Sequence, residues 1–260
     1  MVVSHLKLII EYMKINIATA MEYRFNFIVQ SLSMVANNAI WILFWWIFFQ
    51  KFNIVNTWTM NDMIGLYAVL TFSFGIAGTV FGNRRRIAEV ISEGRLDFFL
   101  TLPKNVLFHT LIGKSSWFAF GDVIFGLIMA TIAFQWWQFP LYFLLCTLSA
   151  IILTSFAVIV SSLAFYMGDA RSTSRQLDIG LMSFGGYPLS IFSDTAKILL
   201  MTVIPAGFIS TIPVELLTQF QLKWFLILLG FTLLIFVIAI FVFYRGLRKY
   251  ESGSMITTRM

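Results

Sequence analysis

NRRRIAEVISEGRLDFFLTLPKN, residues 83–105, is the longest charged interruption in an otherwise apolar chain, and its reading decides the fold. Long apolar runs lie on both sides of it. Arg84, Arg85 and Arg86 open a short amphipathic segment in which Ile87, Val90 and Ile91 share one helix face and Glu89, Ser92 and Glu93 the other. Gly94 supplies the φ > 0 conformation that commonly ends such a helix. Leu96 and Asp97 then lead into the apolar patch Phe98, Phe99 and Leu100, and Pro103 stops the chain before the next run. The stretch is predicted to be a cytoplasmic loop that presents a short helix to a partner protein.

Composition agrees that the rest of the chain is membrane machinery. Hydrophobic residues make up 59% of the 260 residues and charged residues 12%, against roughly 45–50% and 25% in soluble domains. Several runs approach the ~20 residues that a helix needs to cross a bilayer. The expected class is therefore an all-α, polytopic membrane protein. The formal charge of +6 does not imply nucleic acid, because the cations punctuate the apolar runs as the positive-inside rule requires. Cys146 lies inside an apolar run, and His5 and His109 have no metal-ligand spacing around them. No metal or cofactor site is expected on this chain.

Working outward from the loop, an N-terminal amphipathic helix over 3–24 is expected to lie in the membrane interface. Six spans are expected at about 27–49, 63–82, 106–134, 142–166, 177–192 and 222–244. Asn37 and Asn38 in the first span are either interhelical hydrogen-bonding groups or lining of a path. Gly78 and Gly82 form a G-x-x-x-G pair that permits close approach of another helix. The third span carries Lys114 and Asp122, candidate intramembrane charges whose alternative is structural pairing. Gly113-Lys114-Ser115 imitates the end of a phosphate-binding loop, but Phe108 stands where that motif needs its first glycine.

The fifth span is short and broken by Gly180, Gly185, Gly186 and Pro188. The piece after it, 193–220, is broken by Pro205, Gly207 and Pro213. If both crossed, Arg245, Arg248 and Lys249 would lie outside, against the positive-inside rule. One crossing followed by an outer re-entrant segment is therefore expected. Gly185, Pro188, Phe192, Pro205, Pro213 and Glu215 mark either a translocation gate or an outer structural plug. Both termini are expected in the cytoplasm, with only Lys51, Lys197 and Lys223 outside.

Four features together resemble the membrane subunit of ABC-2 type ABC transporters. They are IAEVISEGRLDFFLTLP in the loop, GGYPLSIF in the fifth segment, IPAGFISTIPVELL after it, and the C-terminal RGLRKYESG. The resemblance implies that the loop docks as a coupling helix on a separate ATP-binding subunit. Residues Arg86, Ile87, Glu89, Val90, Ile91, Glu93, Gly94, Leu96, Asp97 and Phe98 would form that contact. It also implies two permease subunits (a homodimer or a heterodimer) and two ATPase subunits in the cell membrane, with ATP and Mg held by the partner. The chain would then be no enzyme by itself, and its cargo, given the apolar and small polar groups in the spans, amphipathic or lipid-like. The competing reading is an ion- or proton-coupled secondary transporter using Lys114 and Asp122. A membrane enzyme fails for want of clustered carboxylates or a phosphate loop.

Overall fold

A computed structural model describes residues 2–52, 54, 57–103, 105–167 and 169–251, with side chains from residue 7 onward. Lys104 of the loop, Ser252 and Gly253 of the C-terminal motif, and the side chain of His5 lie outside the described residues. Every described element is helical. Among the described residues, four helices are long and apolar enough to cross a membrane: Arg24–Lys51, Met60–Val80, Trp136–Met167 and Leu222–Leu247.

The N-terminal helix α1 (Val2–Glu22) breaks at Tyr23 and is followed by α2 (Arg24–Lys51). Helix α3 (Met60–Val80) is the centre of the bundle, with 83% of its apolar window buried, against 17% in α2. It starts on a reciprocal cap, in which the Asp62 carboxylate accepts from the Thr59 backbone at 2.8 Å while the Thr59 hydroxyl accepts from the Asp62 backbone. Its glycine face meets α7 (Phe118–Ala133). A Cβ on Gly75 would stand 2.8 Å from the Val123 backbone nitrogen, and one on Gly78 2.5 Å from the Ala119 Cβ. Small residues thus let the two backbones approach, as close packing within a membrane requires.

The span expected over 106–134 is interrupted. It consists of α6 (Val106–Ile112) and α7, joined by the non-helical residues 113–117. The break is stabilised by the end of α3, whose last carbonyls lack intrahelical partners. The Ser116 N–H donates to the Gly78 carbonyl at 2.8 Å, and the Ser115 hydroxyl to the Thr79 carbonyl at 2.6 Å. The polar run Gly113-Lys114-Ser115-Ser116 is therefore a docking strip for α3.

Helix α8 (Phe139–Ser161) begins after the Trp136–Gln138 turn and packs on α3 and α7, to which its fully buried Tyr142 donates at Ala68 O (3.0 Å) and lies 3.2 Å from Gly126 O. Helix α14 (Leu222–Leu247) runs along α8 but keeps most of its apolar surface exposed, as α2 does. In an integral membrane protein those outer faces meet lipid or another subunit. Between α8 and α14 lie the short helices α9 (Ala164–Met167), α10 (Arg171–Gly185), α11 (Asp194–Thr202), α12 (Ala206–Ile209) and α13 (Thr211–Thr218).

Candidate coupling site

The site begins where α3 ends. Gly82 allows the chain to press against the α6–α7 break, since a Cβ there would sit 2.5 Å from the Ser116 nitrogen. A 3-10 turn, Gly82–Arg86, then passes without interruption into α4 (Ile87–Ser92). The Asn83 amide anchors this turn by donating to the Thr110 carbonyl at 2.7 Å.

The turn delivers two guanidinium groups to one carboxylate. Arg84 Nη1 donates to Asp178 Oδ1, and Arg85 Nε to Asp178 Oδ2, each at 2.7 Å. Arg84 is 2% exposed and Asp178 5%. The Arg84 guanidinium also lies 6.0 Å from the Phe74 ring centroid. A buried pair of this kind persists only when both charges are fully hydrogen-bonded. It joins the start of the loop to the middle of α10, 94 residues away in the chain. Sequence reasoning missed Asp178, although a lone carboxylate inside an apolar, glycine-broken piece is itself a signal that a cation must come from elsewhere.

Beyond the turn, α4 and α5 (Leu96–Leu100) are held by a second core. Ile87, Val90, Ile91 and Leu96 are buried with Val158, Ala164, Ala239 and Phe243 of α8, α9 and α14. This revises the expectation that Ile87, Val90 and Ile91 anchor a partner: their surface is already covered by their own chain. Phe98 remains 65% exposed. Gly94, between α4 and α5, has φ of 71°, the left-handed region that favours glycine.

The polar side of the loop is an ionic network. Glu89 accepts from Arg86 at 2.9 Å and Arg95 at 2.6 Å, and Glu93 from Arg95 at 2.8 Å. Arg171, in the first turn of α10, reaches Glu93 at 3.4 Å and Asp169 at 2.7 Å. The hydrogen bonds from Arg86, and then from Arg95, hold the Glu89 carboxyl below the usual carboxylate range. Two clefts of about 490 and 420 Å³ open between this network and α10, lined among others by Arg85, Glu89, Arg175 and Asp178.

With this geometry, a family model described as ABC-2 family transporter protein matches residues 35–254. The chain belongs to that family. No individually curated protein matches the chain. The ABC-2 permease is thus an integral membrane transport protein, and its family implies partnership with an ABC ATP-binding subunit.

The remaining sequence candidates fall into two other groups in the permease. Asn38 and Asp122 are brought together, the amide donating to the carboxylate at 2.7 Å between α2 and α7, both buried. Asn37 is exposed on the outer face of α2, away from that pair, and Lys114 is exposed at the α6–α7 break.

Gly185 ends α10, and its carbonyl accepts from the Ser210 hydroxyl at 2.7 Å. The Leu189 N–H, just after Pro188, donates to the Thr211 hydroxyl at 3.3 Å. Phe192 meets Phe184 and Tyr187, and Tyr187 meets Trp45 of α2 at 5.7 Å. Pro205 precedes α12, and Pro213 lies buried in α13. Phe208 of α12 stacks on Phe231 of α14 with centroids 4.0 Å apart. Glu215 stands apart from these contacts, in the wall of a cavity of about 400 Å³ that Asp62, Trp58 and Trp224 also line.

Proposed function

We propose that this chain is the membrane subunit of an ATP-driven exporter. It forms the translocation path and takes its drive from a separate ATP-binding subunit docked at the 83–105 loop. The functional unit is two permease and two ATPase subunits, with ATP and Mg on the partner. The chain crosses the cell membrane six times with both termini cytoplasmic, α6 and α7 sharing the third crossing and residues 193–220 forming the outer re-entrant segment. The cargo is amphipathic or lipid-like.

The observation that carries this reading is the double ion pair of Arg84 and Arg85 with Asp178. It supplies a continuous mechanical route. Movement of α4 displaces the 3-10 turn, the turn carries Asp178 and α10, and the Gly185 end of α10 is hydrogen-bonded to Ser210 at the start of α13. A rigid element tied at its middle and at one end transmits a small shift as a switch between packed arrangements. ATP-driven association of the partners then needs only to favour one arrangement over the other.

The docking surface in this reading is the exposed side of the loop. Phe98 projects from it, and the paired charges of Glu89, Glu93, Arg95 and Arg171 surround it, with Asp97 alongside. Charges already ordered by their neighbours lose little entropy when a partner is added.

The test is reconstitution of the chain with its ATPase subunit in proteoliposomes. ATP-dependent export that survives collapse of the proton gradient, and that falls in Asp178→Asn with assembly intact, is the expected result. Cargo movement without any ATPase, or its loss on collapse of the gradient, refutes the reading in favour of a proton-coupled transporter.

A further inference from the structure

The loop also walls a third cavity, of about 570 Å³, that shares only Arg86 with the clefts beside α10. Arg86, Arg95 and Lys114 contribute three cations to its lining, and no carboxylate faces it. Arg86 and Arg95 are paired with Glu89 and Glu93 from outside the cavity. Lys114 has no ion pair among the described residues. Apart from Asn83, whose amide is spent on the Thr110 carbonyl, the rest of the wall is apolar or aromatic and includes Val90, Phe98 and Phe99.

The surroundings are equally two-sided. Tyr12 of α1 closes one wall, its hydroxyl 3.1 Å from Nδ1 of His109. The same helix exposes Ile10, Ile15 and Ile17, and Phe98 is exposed beside the cavity mouth. A small soluble anion would make no use of that apolar border. A basic pocket at the end of a transmembrane bundle, bordered by apolar surface, fits an anionic headgroup with its chain attached.

We propose that this cavity binds the phosphate headgroup of one anionic phospholipid, with Lys114 as the cation that the protein leaves for it. The acyl chain lies against Phe99, which leaves Phe98 to the ATPase-docking side of the loop. The lipid would thereby join α1 to the coupling loop and make the position of that loop depend on membrane composition. The inference does not rest on ATP coupling, since the charges and the apolar wall are present whatever drives transport.

The full-length chain in neutral detergent is titrated with dioctanoyl phosphatidylglycerol, dioctanoyl phosphatidylcholine and inorganic phosphate, and read by native mass spectrometry. Phosphatidylglycerol is expected to bind more tightly than phosphatidylcholine. Lys114→Gln is expected to weaken phosphatidylglycerol about fivefold, the loss that one surface cation accounts for, while Lys114→Arg retains binding. Equal affinity for the two lipids, or wild-type affinity in Lys114→Gln, overturns the proposal. So does displacement of phosphatidylglycerol by millimolar inorganic phosphate, which assigns the site to a free anion. Displacement by the ATPase subunit assigns it to an acidic segment of that partner, and overturns it too. The wild-type preference is measured without any variant, so a Lys114 variant that misfolds does not shelter the proposal.

Discussion

Replacing Asp178 by Asn separates the contributions of the two arginines, because their burial differs. The substitution keeps the shape and removes the charge. Arg84, 2% exposed, then keeps no ion-paired carboxylate and is almost wholly shut off from water. Removing one member of a buried pair in this way costs about 3–5 kcal/mol. Arg85 has a side chain 48% exposed and can turn outward, so Arg85→Gln should cost no more than ~1 kcal/mol. Arg84→Met falls between them, because Asp178 keeps its 2.7 Å contact with Arg85. Replacing both buried partners, as Arg84→Met with Asp178→Leu, removes the desolvation penalty together with the attraction. It should return the protein to within ~1–2 kcal/mol of wild type, or above it. Stability is read by denaturant titration in detergent, and coupling by ATP-driven transport with the partner subunit. The apolar double variant should be stable and uncoupled. Asp178→Asn costing under about 1 kcal/mol, less than the buried-pair range, would refute the assignment of Arg84 as a buried, dependent charge. Full transport in the double variant would refute the mechanical route.

Other predictions follow from neighbouring contacts. Gly75→Ala should destabilise the bundle by about 1–3 kcal/mol through overpacking against Val123. Gly230→Ala, whose Cβ meets nothing within 4 Å, should be neutral or stabilising, and thermal unfolding of the two in detergent makes the comparison. Leu96→Ala should cost about 2–5 kcal/mol because Leu96 is fully buried. Phe98→Ser should leave stability unchanged but weaken co-purification with the ATPase subunit. Glu89 has a folded pKa depressed by Arg86 and Arg95. Its stabilisation is present above its unfolded pKa and lost as pH falls through the folded value. Unfolding measured from neutral pH down through the carboxylate range should show that acid-side loss, and Glu89→Gln should reduce it.

The sequence carried the helical class, the loop and the unusual fifth segment, because each is written in local composition and periodicity. It could not carry what lies opposite them. Ile87, Val90 and Ile91 define an apolar helix face equally well whether the surface covering it is a partner or α8, α9 and α14. Only the tertiary arrangement supplies Val158, Ala239 and Phe243. The same limit hid the break in the span expected over 106–134. Gly113, Lys114 and Ser115 sit in a run apolar enough to be read as one helix, while the acceptors that stabilise the break belong to Gly78 and Thr79, more than 30 residues earlier.

Charge was more informative than apolar pattern wherever it was followed to its consequence. A buried carboxylate in a low-dielectric bundle requires a donor. Asp122 meets that demand with Asn38, and Asp178 meets it with Arg84 and Arg85. The two acids differ in what they join. Asp122 links two helices, α2 and α7, within the bundle, where a neutral amide suffices. Asp178 links the bundle to a loop outside it, and only a cation lets that link remain paired while its arginine partner on the exposed side exchanges with water. A link of that kind can shift without being abolished, which is the property a coupling element needs.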